Sequence, residues 1–192
     1  SSAASDVYKR QILYSCILKG FGDCSRLDKL DYVRLERNGC NSDDAANFSG
    51  LDTLNHDIQV AIYFDVRCKV NQECIDSLEN ANIHQLDISG NQNLNLSIIK
   101  NLNIISFISG GEIDWNGLQE MPNLKKINIR SLNISDLTPV ASLTNIEELD
   151  ISNTNVTDLS PLKDMPNLKK LIAENCNIDD WSPVSDIDEV IK

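Results

Sequence analysis

Six cysteines, two histidines and an acidic run near the C-terminus are the residues from which this chain could build chemistry. Their spacing gives none of them a partner. His56 and His84 lie far apart with no nucleophile or second ligand at motif distance, so each reads as a structural or surface residue. No GxSxG, HExxH, phosphate-loop or GxGxxG pattern occurs. Gly110-Gly111 is a lone pair at a corner, where glycine serves backbone turning. Asp186, Asp188 and Glu189 lack the calcium-loop pattern and its central glycine, and read as the solvated start of a cap helix after Ser185. Cys16 and Cys24 have seven residues between them, and Cys68 and Cys74 have five. Neither interval matches a zinc-ligand pair. The expectation is a chain that is not an enzyme and has no metal site and no cofactor.

The cysteines keep two readings open. In an oxidising compartment Cys16–Cys24 and Cys68–Cys74 are candidate local disulfides that leave Cys40 over, stapling an irregular N-terminal part. In a reducing compartment the same residues are thiols. Cys176 falls at an inward corner and is expected to be a buried thiol. Leu13-Tyr14-Ser15-Cys16 faintly resembles a lipoprotein cleavage box, but Ile17 and Leu18 fit a cap helix better.

Composition narrows the partner. The chain has 192 residues and a formal charge of −12. That balance argues against nucleic acid, which needs clustered Lys and Arg to displace counterions, and against anionic membrane surfaces. No apolar run approaches the roughly 18 residues of a membrane-spanning helix, so no membrane insertion is expected. Residues 1–11, SSAASDVYKRQ, share no pattern with the rest of the chain. They resemble a translated adaptor read-through and are set aside as a scar, with the native N-terminus expected to be missing.

The elements that would carry any function emerge from self-similarity. Leu124, Ile146 and Leu168 open three copies of a 22-residue unit without gaps. In the middle copy the apolar positions are Ile146, Leu149, Ile151, Val156, Leu159, Leu162 and Met165. Positions 4 and 6 alternate about position 5, the period of a strand with one buried face. Position 9 is expected to turn the chain, with Asn91 bonding backbone groups there, and with Leu132, Thr154 and Cys176 in later copies. Thr138-Pro139, Ser160-Pro161 and Ser182-Pro183 read as helix starts, in which the hydroxyl caps a free N–H and proline takes the first turn. Looser copies precede these. Ile83, Leu86 and Ile88 open one, Leu102, Ile105 and Phe107 another, and Leu30, Val33 and Leu35 a third; 58–66 reads as one more strand. Val190 would begin a further copy.

The run LxxLxLxxN with its D-L-[ST]-P-[LV] return resembles the internalin-type class of leucine-rich repeats, closely over 83–187 and weakly before. Asn41 to Leu51 resembles the helical segment that often precedes the first regular turns, with Ser42 as its cap. The resemblance implies an α/β solenoid with a concave parallel sheet, short helical or 3-10 returns on the convex side and an irregular N-terminal cap. It also implies recognition of a protein partner, commonly by secreted or surface-attached members, although cytoplasmic relatives exist. The expected organisation is a scar over 1–11, a cap with the first irregular repeat over 12–50, the solenoid over 51–187, and a terminal cap or truncated repeat over 188–192. A monomer is expected.

Side chains at positions 3, 5 and 7 would point out of the concave sheet. In the regular copies these are Lys126, Asn128 and Arg130; Glu148, Asp150 and Ser152; and Lys170, Ile172 and Glu174. Ile104, Ile108 and Ile172 are the expected apolar contact points. Lys126, Glu148 and Lys170 would form an alternating-sign column that either satisfies itself or recognises a partner. Asn47, Asn95, Asn133 and Asn155 lie in N-x-S/T sequons, two of them products of the repeat itself, which favours repeat grammar over glycosylation.

Overall fold

The computed structural model describes residues 10–14, 32–37, 48–54, 58–64, 72–78, 80–88, 103–109 and 115–192. One sheet of nine parallel strands runs through it in chain order. The strands are β1 (Arg10–Tyr14), β2 (Tyr32–Arg37), β3 (Gln59–Phe64), β4 (Asn82–Ile88), β5 (Asn103–Ser109), β6 (Lys126–Asn128), β7 (Glu148–Asp150), β8 (Lys170–Ile172) and β9 (Glu189–Ile191). Parallel neighbours in sequential order require every connection to return along the same side. The described returns are short: α1 (Gln72–Asp76), α2 (Trp115–Gln119), α3 (Thr138–Ala141), and 3-10 turns at Leu51–Thr53, Ser160–Leu162 and Ser182–Val184.

The regular copies show why this arrangement holds. All seven apolar positions of the middle copy, from Ile146 to Met165, are buried. Each turn of chain exposes an apolar edge that its neighbour covers, so stability is shared between stacked turns. The register is in step: Ile127 pairs Leu149, which pairs Leu171. Polar bonds repeat with it. The Asn145 side chain donates to the Pro122 carbonyl (3.3 Å), and Asn167 does the same to Thr144 (2.8 Å). Asn155 Nδ2 donates to Asn133 Oδ1 at 2.9 Å, so two of the sequon asparagines tie adjacent turns together.

Three local expectations are corrected. The chain turns at position 8, not 9: Ser131, Asn153 and Asn175 have φ of 62°, 57° and 58°. Left-handed backbone favours Asn, whose short polar side chain tolerates it. Position 9 then points inward; Leu132 and Thr154 are buried, while Cys176 is half-buried, its thiol donating to the Ile151 carbonyl at 3.2 Å. Second, the hydroxyls of the Thr/Ser-Pro pairs do not cap their helices. The aspartate two residues earlier does so, as Asp136, Asp158 and Asp180 accept the amides of Thr138, Ser160 and Ser182 at 2.8, 2.8 and 2.9 Å. The Ser160 hydroxyl also donates to Asp158. A carboxylate accepts both bonds at once, which an uncharged hydroxyl does less well. Third, no cap helix follows Ser185. The chain forms β9, and Val190 pairs Leu171 at position 4 instead of opening a new copy.

Those aspartates carry a pH prediction. Bonds from the downstream hydroxyl and amide hold all three carboxyls below their ordinary range, the hydroxyl bond being the larger for Asp136 and Asp158 and the amide bond for Asp180. A depressed carboxyl stabilises the fold above its unfolded pKa and loses that contribution as pH falls through the folded value. Asp158→Asn is therefore expected to lower the thermal midpoint at pH 7 but to converge on the parent as the pH falls through the depressed Asp158 carboxyl, below the ordinary carboxylate range. Parallel melting curves across that range check it. A gap that stays constant with pH would remove the carboxylate from the account.

Two irregular features sit near the other end. Residues 10 and 11, set aside as scar, open β1 and pair with Tyr32 and Val33. Cys74 is fully buried on α1, and Cys68, its candidate disulfide partner, lies outside the described residues. Cys16, Cys24, Cys40 and the helix expected over 41–51 (apart from its end) lie outside the described residues, as does Asn91.

Candidate functional site: the concave sheet face

Strand pairing sets side chains into rows that run across the sheet. One row, at position 3, contains Arg34, Ala61, Gln85, Ser106, Lys126, Glu148, Lys170 and Glu189. Its last four members alternate in sign. Lys126 Nζ lies 2.8 Å from Glu148, and Lys170 Nζ lies 3.0 Å from Glu189. The Glu189 carboxylate, with Glu148 on the opposite side, raises the Lys170 ammonium above the ordinary lysine range. These pairs are solvated, so each contributes little to stability and remains available to an incoming charge. Position 2 repeats the device at the strand entrance, where Glu147 sits between Lys125 and Lys169 at 3.0 Å from each. The two ammonium groups hold the Glu147 carboxyl below its usual value, Lys169 contributing most.

The row at position 5 is different in character. Asn128 and Asp150 have structural duties: their Oδ1 atoms accept the amides of Arg130 (3.0 Å) and Ser152 (2.9 Å). Asp150 is thereby nearly buried, and Ser152 wholly so, its hydroxyl accepting the Glu174 amide at 3.3 Å. Both were expected on the open face. Their removal from it follows from the tight corner after each strand, whose backbone donors need acceptors within reach. Arg130 spans the gap above Ser152 and approaches Glu174 at 3.8 Å. Ile108 and Ile172 are half-buried on the face, with Ile191 beside Ile172.

Ile104 is a correction. It is 0% exposed, because Phe107 pairs both Leu86 and Ile127 at the strand centre and Ile104 pairs Ile83. The LxxLxL frame laid on Leu102, Ile105 and Phe107 is two residues out of step, and a two-residue slip in a strand preserves alternation while changing which position each residue holds. The same slip affects Val33 and Leu35, since Leu35 pairs Ile62, which pairs Leu86.

Residues not singled out from the sequence complete the face. The Arg34 guanidinium lies 3.8 Å from the centre of the Tyr63 ring. Gln85 Nε2 donates to the Tyr63 hydroxyl at 2.8 Å. Tyr63 pairs Asp87, which pairs Ile108, so this aromatic belongs to the position-5 row. Period-2 alternation in QVAIYF was the available signal, but it does not say which neighbours Tyr63 meets. His84 is the extra residue of a bulge in β4 opposite Val60 and Ala61. Its Nδ1 accepts the Val60 amide at 3.4 Å, a structural role.

Among the described residues no three His, Cys, Asp or Glu side chains converge on a metal-sized site, and no helix is long and apolar enough to cross a membrane. The return side has a small solvent-open groove between Leu118, Met121, Leu143 and Asn145, lined by no titratable group.

With this geometry in place, the comparisons with known proteins are consistent. A family model described as leucine-rich repeats in two copies matches residues 144–186. No curated protein sequence matches. Among solved structures the chain is similar to internalin C2 of Listeria monocytogenes, at 22% identity and a TM-score of 0.55, covering 99% of this chain and 83% of that one. An internalin (InlF) of the same organism is similar at 17% identity and a TM-score of 0.50, with 97% of this chain and 66% of that one covered. A chain of the Drosophila Toll–Spatzle complex is similar at 13% identity and a TM-score of 0.62; 94% of this chain matches, but only 26% of the other is spanned. The unbroken parallel sheet, the 22-residue register and the matched repeats together identify the chain as a leucine-rich-repeat solenoid, internalin-like in fold.

Proposed function

We propose that the chain is a non-catalytic protein-binding module that receives its partner on the concave face, as a monomer that is secreted or held at a cell surface. The observation that carries this reading is the alternating column Lys126, Glu148, Lys170 and Glu189, solvated and set beside the half-buried Ile108, Ile172 and Ile191. Interfaces combine apolar anchors with a polar rim that selects the partner, and this face offers both on a rigid sheet. The resemblance of its repeats to the internalin-type class, whose members are commonly secreted or surface-attached, supports an extracellular setting. The alternative is an intracellular scaffold of the same fold, in which the N-terminal cysteines are thiols. Intact mass with and without reduction separates the two, since disulfides among Cys16, Cys24, Cys40, Cys68 and Cys74 belong to the first.

The binding face is tested by placing a photo-crosslinking residue at Lys126 or Ile172 and, on the return side, at Lys163. Discrete adducts are expected from the concave positions only, and Glu148→Lys is expected to reduce them at least tenfold. Equal labelling from Lys163 would sink the assignment.

A further inference from the structure

We draw no further inference here: the strongest candidate, the half-buried apolar edge that Ile178, Trp181, Ile187 and Val190 form at the β9 end of the sheet, carries nothing, because nothing in the structure shows what covers it.

Discussion

Ile104→Asp is expected to cost on the order of 5 kcal/mol, while Ile108→Asp, on the same strand, leaves the melting curve nearly unchanged. Ile104 is fully buried against the core and pairs Ile83, whereas Ile108 faces the concave side. A charge at Ile104 loses the apolar burial and gains no counterion, and both losses are several kcal/mol. For a chain of this size that is about 15 °C in thermal midpoint. The frame read from Leu102, Ile105 and Phe107 places Ile104 and Ile108 together on the open side, so it expects two harmless substitutions. Melting both variants side by side decides between the frames. A stable Ile104→Asp protein would return β5 to the sequence-derived register.

Leu149→Ala should be comparably costly by a different route. Leu149 is the central residue of β7, fully buried, with Ile127 and Leu171 on either side. Truncation leaves a cavity that the stacked turns fill only partly, and about 3–4 kcal/mol is expected. Because each turn leans on its neighbours, the loss should spread. Hydrogen exchange is expected to accelerate at Ile127 and Leu171 as well as in β7, with β3 and β4 much less affected. Exchange that speeds up uniformly along the chain would show a single cooperative unit instead.

Both predictions turn on register, which is where the sequence was least legible. Over the three copies that open at Leu124, Ile146 and Leu168 the frame holds, and most residues assigned to the core are buried, with Ile134, Ile178, Trp181 and Ile187 partly so, because seven apolar positions per turn over-determine it. Upstream, the interval from Leu86 to Phe107 to Ile127 shortens, and the alternation that marks a strand is unchanged by a two-residue slip. Hydrogen bonding to the neighbouring strand resolves it. The same holds at the other end, where Glu189 reads as part of an acidic helix start until its pairing with Lys170 makes it the fourth charge of the column.

The candidate face divides in the same manner. Lys126, Glu148 and Lys170 could be aligned from spacing alone, since equal intervals in a stacked repeat become one row. Asp150 and Ser152 could not be withdrawn from it on that basis, because their burial depends on a corner whose left-handed residue sits at position 8. The Arg34–Tyr63–Gln85 cluster required three irregular strands to be brought side by side.

By itself, then, the amino-acid sequence determined the architecture: a 22-residue period with one apolar edge has no way to bury that edge except by stacking. Tertiary structure alone decided which residues face the concave side in the irregular turns and which carboxylates cap the returns. Periodicity is a property of the chain read along its length, whereas the row a side chain joins is set by hydrogen bonds to a strand roughly twenty residues away.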